Sequence, residues 1–303
     1  MKPVCVRFCL LCVCALLVAC AEDAPPTPQT GEHPRIITLA PALTQVLIDL
    51  GLADHLVGVS EYDLVAPEGL PVVGHYRDVD AERLLALRPT HVLMMVGVEG
   101  SPVRLTELSQ QMGFKLAVFD YPDKVENVWT ILADEQTGVG TALGVAERAS
   151  RLREESLARL DTLGRLTGDL DRPRTLVVFS TQPNVMASGP RTVNDELIRI
   201  AGGQNAAGDA AVQAPEFGRE GLLALNPDVI ILLMPAAPEL VEDDPRLAIF
   251  RGLPLPAVTE GRIYLINDPA ALLPSTSIVR IATQMAVTIH PEIADRIDAD
   301  PEP

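Results

Sequence analysis

The chain has 303 residues, twice the length of about 150 that is usual for one domain, so two structural units are expected. Hydrophobic residues make up 48% and charged residues 21%, which excludes a wholly disordered chain and supplies enough apolar side chains for a core. The 41 acidic and 24 basic residues give a net charge of -17, which would repel phosphate backbones. Nucleic acid is therefore not an expected partner.

The first predicted element is an N-terminal signal peptide over residues 1–19. Lys2 and Arg7 precede an apolar run over residues 8–19, which is shorter than the ~20 helical residues that cross a bilayer. The run ends at Cys20 in the sequence Leu-Val-Ala-Cys, which is similar to the lipobox of bacterial lipoproteins, where the cysteine is diacylated and becomes the first mature residue. Ordinary cleavage beside an incidental cysteine is the alternative. The sequence thus predicts an exported protein, anchored through Cys20 on the periplasmic or extracytoplasmic side of a bacterial membrane.

Two terminal segments are predicted to have no fold of their own. Residues 20–34 are rich in proline and poor in large apolar side chains, which is typical of a tether, and residues 295–303 form an acidic tail. Between them, short apolar runs alternate with helical patterns, as in α/β units with mainly parallel sheets. The predicted strands are Arg35–Ala40, Leu56–Ser60, His91–Val96, Lys115–Phe119, Thr175–Ser180, Val229–Met234 and Arg262–Ile266.

An internal repeat supports a division into two lobes, 35–136 and 168–294. The segment from Glu82 to Pro89 reads Glu-Arg-Leu-Leu-Ala-Leu-Arg-Pro, and 138 residues later the segment from Glu220 to Pro227 reads Glu-Gly-Leu-Leu-Ala-Leu-Asn-Pro. Each copy leads directly into an apolar run. A short helix that ends before a proline and precedes a buried strand is one αβ unit, so the same unit is predicted once in each lobe.

The segment between the lobes, residues 137–167, predicts one long helix. Apolar side chains recur among charged neighbours at helical spacing from Val139 to Leu163. At 1.5 Å per residue such a helix would be on the order of 40 Å long. The two lobes are therefore predicted to be joined by a stiff helix rather than by a flexible hinge.

No motif in the chain predicts catalysis. Gly138, Gly140 and Gly144 resemble a dinucleotide fingerprint in spacing, but they lie inside the predicted helix instead of between a strand and a helix. The five histidines are scattered, and all five cysteines fall within the first 20 residues. The sequence thus predicts neither an enzyme nor a resident metal or cofactor.

Several segments occur in an order that is specific when they are taken together. They are residues 35–41, 56–60 with Tyr62, 71–74, the helix that begins near Glu82, 194–197 and 201–205. These segments resemble the cobalamin, haem and siderophore class (class III) of ABC-transporter substrate-binding proteins, with the greatest similarity to the cobalamin-binding family. The resemblance implies two Rossmann-like lobes joined by one long backbone helix, with a metal-chelate ligand held between them. It also implies a monomer that delivers its ligand to the permease dimer of an ABC importer.

The same resemblance implies a set of ligand-binding residues. Tyr62 and Tyr76 occupy positions where the cobalamin-binding family has aromatic walls, while Met95 and Ala214 stand where it has tryptophans. The segment 180–189 matches a ligand-facing loop. The expected ligand contacts are Tyr62, Tyr76, Met95, Gln182, Asn184 and Phe217, and Trp129 is expected to be a core residue.

Other functions on this scaffold stay open at the level of sequence. Haem-binding relatives have a tyrosine where this chain has His75, which is a plausible axial iron ligand. Ferric siderophores are anionic and would need arginines such as Arg77, Arg191 and Arg280. A periplasmic enzyme or a surface interaction protein is a further alternative, because fold alone does not fix function.

A docking role is expected for two exposed acids. In the resembling family, glutamates at the positions of Glu82 and Glu220 contact arginines of the transporter. Helix capping would also favour a carboxylate at both sites, because both begin predicted helices.

Overall fold

The computed structural model describes residues 34–97, 100 and 102–298. The predicted signal peptide, Cys20, nearly all of the predicted tether and the last five residues of the predicted tail lie outside this range. No helix among the described residues is long and apolar enough to cross a membrane.

The N-terminal lobe is built on a four-stranded sheet in which every strand pairs in parallel, in the order β2-β1-β5-β6. Strand β5 is an almost entirely buried apolar run, as expected for a central strand covered on both faces. A two-stranded hairpin, β3-β4, lies apart from this sheet. The elements of this lobe are β1 (Ile36–Thr38), α1 (Pro41–Asp49), β2 (Leu56–Gly58), β3 (Gly74–His75), β4 (Asp78–Val79), α2 (Ala81–Ala86), β5 (His91–Val96), α3 (Val103–Met112), β6 (Lys115–Asp120) and α4 (Val125–Ala133).

The C-terminal lobe contains a six-stranded sheet in the order β10-β8-β7-β11-β12, with β9 pairing beside the start of β7. The β7, β11 and β12 strands are parallel, whereas β8 and β10 are antiparallel additions at one edge. The elements are β7 (Arg174–Ser180), β8 (Val185–Ala187), α7 (Val193–Ile200), β9 (Gln204–Asn205), β10 (Glu216–Phe217), α8 (Arg219–Leu225), β11 (Val229–Leu233), α9 (Pro256–Thr259), β12 (Ile263–Ile266), α10 (Ile278–Ile289) and α11 (Ala294–Asp298).

All seven predicted strands are present, each within two residues of its predicted ends, and the first two are shorter than predicted by three and two residues. The predicted α/β fold with two lobes and mainly parallel sheets is thereby confirmed. The predicted acidic tail differs at its start, because residues up to Asp298 continue as α11 after the buried Ile293.

The sequence repeat is also a structural repeat. Helix α2 leads into β5 and helix α8 leads into β11, with Leu84 and Leu222 fully buried at matching positions. Both helices are followed by a residue in the left-handed region, Arg88 and Asn226, each with φ of 44°. The sequence thus specifies the same helix, left-handed turn and buried strand twice.

The predicted single helix over residues 137–167 is wrong at its start. The structure has a short helix α5 (Val139–Ala142) and then α6 (Ala146–Thr167), separated by a turn at Gly144 with φ of 74°. Gly140 permits this turn, because a Cβ there would lie 2.4 Å from the Cβ of Ala149 in α6. The 22 residues of α6 span roughly 33 Å at 1.5 Å per residue, so the long helix itself is confirmed.

One hydrophobic cluster, here called the shared core, extends through both lobes. It includes Ile36 of the N-terminal sheet, Leu160 of α6, Val177 of the C-terminal sheet and Ile289 of α10. Trp129 also belongs to it and is 2% exposed, which confirms the prediction of a core residue. Each lobe also has one smaller hydrophobic cluster of its own, on the other face of its sheet. The shared core therefore packs the two lobes against each other.

Candidate functional site

A cavity of about 240 Å³ lies between the lobes, at the carboxyl ends of strands from both sheets. In open α/β sheets ligands bind outside these ends. The N-terminal lobe contributes the segment after β6, and the C-terminal lobe contributes the start of α7 and the loop after β12. The inter-lobe cavity is lined by Tyr121, Pro122, Asp123, Phe179, Ser188, Thr192, Val193, Asn194, Leu197, Gln213, Ala214, Ala271, Leu272, Leu273, Pro274, Ile278 and Ile281.

Apolar side chains dominate the wall of the cavity. Tyr121 is 61% exposed and Leu272 is 39% exposed, so both present large apolar surfaces to solvent inside the cleft. Desolvation by the surrounding protein raises the pKa of the Tyr121 hydroxyl above its ordinary value. Tyr121 is therefore a neutral phenol at physiological pH, able to stack and to donate a hydrogen bond.

A few polar groups interrupt this apolar wall. The hydroxyls of Ser188 and Thr192 are 2.9 Å apart, and Thr192 also accepts from the backbone N–H of Asp195, which caps α7. Gln213 donates from Nε2 to the carbonyl of Arg191 at 2.7 Å. Short side chains held in this way offer a limited number of donors and acceptors at defined places, as small-molecule sites usually do.

Hydrogen bonds join the lobes next to residues that line the cavity. The backbone N–H of Val125, at the start of α4, donates to Oε2 of Glu196 in α7 at 3.2 Å. The hydroxyl of Thr276 in the C-terminal lobe donates to the carboxylate of Asp49 in α1. Together with the shared core, these contacts hold the width of the cleft.

Tyr62 stands on a loop beyond the carboxyl end of β2. Its side chain is 88% exposed and its φ is 58°, a left-handed conformation that is uncommon outside glycine. The adjacent Asp63 holds the loop, because its Oδ1 accepts from the backbone N–H groups of Val65 and Ala66. The local structure thus holds the loop that carries Tyr62 and leaves its ring almost fully exposed.

A buried chain of hydroxyl groups connects this loop to the N-terminal sheet. Thr44 donates to Oδ2 of Asp63 at 2.6 Å, and its oxygen lies 2.6 Å from the hydroxyl of Thr38 at the end of β1. Because Thr44 uses its proton toward Asp63, Thr38 must be the donor in the second bond. Burial raises the pKa of Asp63 above the ordinary value of 3.8, and these hydrogen bonds lower it only in part.

We expect Asp63→Asn to remove a contribution that stabilises the fold at acidic pH. A raised pKa means that the folded protein binds the Asp63 proton more tightly than the unfolded chain, so this group stabilises the fold as pH falls through the raised pKa toward 3.8 and ceases to do so as pH rises. The free energy of unfolding should therefore change less favourably from pH 7 to pH 4.5 in the variant than in the parent, as measured by chemical unfolding at both pH values. Asp78→Asn, at an exposed acid of the same lobe, is the matched control. An unaltered difference for Asp63→Asn would contradict the assignment.

His75 is the last residue of strand β3 in the hairpin, and Tyr76 follows it. Neither residue lines the inter-lobe cavity. The Tyr76 ring is half-buried beside α3, and its hydroxyl accepts from Nε of Arg77 at 2.9 Å. The backbone N–H of Arg77 donates to Nδ1 of His75 at 3.2 Å. In neutral His75 the proton is then on Nε2, so the nitrogen that faces outward is a donor and not a free lone pair.

The remaining predicted contacts occupy two other places. Met95 is 5% exposed and packs in the shared core at the end of β5. Gln182 and Asn184 are exposed on the loop before β8, and Asn184 lies near Phe217 because Val185 pairs with Phe217 in the sheet. None of the six predicted contacts lines the inter-lobe cavity, and their roles toward a ligand stay predictions.

Several residues of the cavity were not predicted as ligand contacts, among them Tyr121, Asp123 and Leu272. Tyr121 lies two residues after the end of the predicted strand Lys115–Phe119. The carboxyl end of a parallel strand is the usual place for a binding side chain. That signal was present in the sequence. Leu272 had no such signal. It lines the same cavity as Tyr121 only because the two lobes pack together.

Glu82 and Glu220 occupy equivalent positions in the first turns of α2 and α8. Both are exposed, and within the part of the chain that the structure describes neither side chain forms an ion pair. The N-cap of α2 is Asp80, which accepts from the backbone N–H of Arg83, so Glu82 is not needed for this task. Two solvated carboxylates thus stand at repeat-related places.

Metal chelation by the protein itself finds no support in the geometry. Over residues 34–97, 100 and 102–298 no group of three or more histidine, cysteine, aspartate or glutamate side chains is arranged to hold a metal ion.

Residues 36–270 match the family described as periplasmic binding protein, and the chain belongs to that family. The vitamin B12-binding protein of Yersinia pestis (strain Pestoides F) is 28% identical over 201 residues, which cover 65% of this chain and 69% of that protein. The periplasmic heme-binding protein RhuT from Roseiflexus sp. RS-1, in apo form, has a TM-score of 0.69 at 24% identity and covers 86% of this chain and 99% of its own. The periplasmic vitamin B12-binding protein BtuF of Vibrio cholerae has a TM-score of 0.60 at 24% identity, with coverage of 87% and 98%.

These similarities confirm the predicted class of substrate-binding protein. Members of the family are exported to the periplasm, bind small ligands and work with ABC transporters, and the homologues are solute-binding transport proteins and not enzymes. The vitamin B12-binding and heme-binding relatives are comparably similar, so the class of ligand has to be argued from the site.

Proposed function

We propose that this chain is a lipid-anchored solute-binding protein that captures a corrinoid between its lobes and delivers it to an ABC importer. The observation that carries the proposal is the inter-lobe cavity, whose wall is apolar with a few hydroxyl and amide groups. A corrin is a broad macrocycle with apolar faces and polar amide arms, and such a wall matches both parts of it. The vitamin B12-binding relative in Yersinia pestis supports the same ligand class.

The size of the cavity defines how such a ligand would be held. Its volume of about 240 Å³ is below the roughly 300–1,000 Å³ of most small-molecule sites. The cavity therefore accepts an edge or an arm of the macrocycle, while the remainder lies against the exposed surface of the cleft. Tyr62 provides an exposed ring from the N-terminal lobe for this purpose, and Gln182 and Asn184 provide amides from the C-terminal lobe.

Haem is the second candidate, supported by the heme-binding protein RhuT among the structures of the same fold. His75 would be its axial ligand. The hydrogen bond from the Arg77 N–H to Nδ1 of His75 opposes this role, because Nε2 could bind iron only after its proton moved to Nδ1 and that bond was lost. A ferric siderophore is less well supported, since Arg280 is engaged by Asp268 and Arg77 by Tyr76.

Titration of the purified mature protein with cyanocobalamin, haem and a ferric siderophore tests the proposal. We expect saturable binding of cyanocobalamin, with retention of its visible absorbance after gel filtration, and much weaker binding of the other two ligands. Tight binding of haem with a Soret shift, and none of cyanocobalamin, would overturn the corrinoid proposal. Binding of none of the three would overturn the capture of metal chelates altogether.

We expect the double variant Glu82→Ala with Glu220→Ala to lower transport while ligand affinity stays unchanged. Both carboxylates are exposed and neither residue lines the cavity, so they are free to contact cationic groups on a permease dimer. Exposed ion pairs contribute ~0.2–1 kcal/mol each, and their main effects are on orientation and encounter rate. Uptake of labelled ligand by reconstituted importer, measured with parent and variant, checks this.

The matched control for docking is Glu147→Ala with Glu260→Ala, which removes the same charge from exposed acids elsewhere. The control pair should transport like the parent. Loss of ligand binding in the soluble Glu82 and Glu220 variant would contradict a docking role.

A further inference from the structure

The side chains that line the inter-lobe cavity include a negative charge and no positive charge, and this affects which ligands the cavity can bind. None of the residues that line it is lysine, arginine or histidine, and Asp123 is its one acidic side chain. Asp123 is exposed and accepts from Nδ2 of Asn127 at 2.7 Å, without a cationic partner among the described residues. A group that enters the cavity thus meets one carboxylate and no cationic side chain among the residues that line it.

Three cationic residues adjoin lining residues in the chain but are not part of the wall. Lys124 follows Asp123, Arg191 precedes Thr192 and Arg280 precedes Ile281. The backbone of Arg191 is held by the carboxylate of Asp195. Arg280 is bound by Asp268 through two hydrogen bonds, with Nε–Oδ2 at 2.6 Å and Nη2–Oδ1 at 3.1 Å.

The polar groups that do line the cavity are neutral. Ser188 and Thr192 provide hydroxyls, while Asn194 and Gln213 provide amides. Hydroxyl and amide groups both donate and accept, so they can satisfy an amide arm of a ligand. A carboxylate arm would lose its hydration without gaining a cation, and an unpaired charge in such a place is costly.

We infer that the cavity selects uncharged, amide-bearing arms and rejects carboxylate arms, so that it separates amide-armed from acid-armed chelates of similar size. This inference rests on the proposed function and narrows its ligand class. It assigns Asp123 as a specificity-determining residue that disfavours anionic ligands.

Matched pairs of ligands test the inference directly. Cyanocobalamin is compared with its singly hydrolysed derivatives, in which one propionamide is a carboxylate, and haem is compared with haem dimethyl ester. We expect at least one hydrolysed isomer to bind about tenfold or more weakly than cyanocobalamin at pH 7, and the ester to bind more tightly than haem. Equal or tighter binding of every carboxylate form would overturn the inference while the proposed function stands. If no member of either pair binds, the proposed function fails and the inference fails with it.

A charge reversal in the cavity provides the second arm of the test. Asp123→Lys should reduce the ratio between amide and carboxylate affinities several-fold by improving the affinity of the carboxylate form. Glu126→Lys is the matched control, because Glu126 is an exposed acid three residues away that borders an outer groove beside α6 and not the cavity. An equal effect of both variants would assign the discrimination to net charge and overturn the role of Asp123.

Discussion

Replacing Cys20 with alanine should move the whole mature protein from the membrane fraction to the soluble fraction. One acyl chain gives only marginal membrane binding, whereas two or more give stable attachment. A diacylated Cys20 would therefore be sufficient for stable anchoring, and Cys20 is the last cysteine in the given sequence. Fractionation of cells followed by immunoblotting, before and after a high-salt wash, measures the change.

The matched control for anchoring is Cys14→Ala, which removes a cysteine from the predicted signal peptide and leaves the lipobox residues intact. This control should stay with the membranes. A Cys20→Ala protein that still sediments with membranes under high salt would show that the lipobox assignment is wrong.

Truncating both Tyr62 and Tyr76 to alanine should weaken corrinoid binding by at least about tenfold. Aromatic contacts contribute ~0.5–1.5 kcal/mol each beyond the burial of area, and ~1.4 kcal/mol is a factor of ten. We expect Tyr62 to account for most of this loss, since it is 88% exposed whereas Tyr76 is half-buried against its own lobe. Titration of the two single variants and of the double variant separates the contributions.

His75→Ala is the control for this experiment, because it alters the same hairpin and leaves both tyrosine rings in place. Corrinoid affinity should be nearly unchanged in this variant. If His75→Ala instead removes the Soret band of haem-loaded protein while the double tyrosine variant binds normally, haem is the ligand.

Much of the fold could be predicted because its elements are specified by local patterns. Apolar runs such as His91–Val96 and Val229–Leu233 become central strands buried on both faces, and the Glu82 and Glu220 repeats form equivalent αβ units. The break between α5 and α6 was missed because the apolar spacing continues across Gly144. Only the packing of Gly140 on Ala149, a contact nine residues apart, shows why the chain turns there.

The site was less predictable than the fold for a physical reason. Its wall combines a segment after β6 with Gln213 and Leu272, and no local pattern connects residues that are so far apart in the chain. Family resemblance pointed to Tyr62 and the loop around Gln182, whereas the general rule of strand ends would have pointed to Tyr121. The charge of the cavity wall could not be predicted from the sequence, because it depends on which distant residues line the cavity in the folded chain.

The shared core also determines how the molecule melts. Because Ile36, Leu160 and Ile289 belong to one continuous cluster, neither lobe retains a complete core when the other unfolds. We therefore expect the chain to unfold as one cooperative unit, so that a ligand that touches only the cleft raises the melting temperature of both lobes together. At a ligand concentration a hundred times Kd, ligand binding would stabilise the folded chain by about 2.7 kcal/mol.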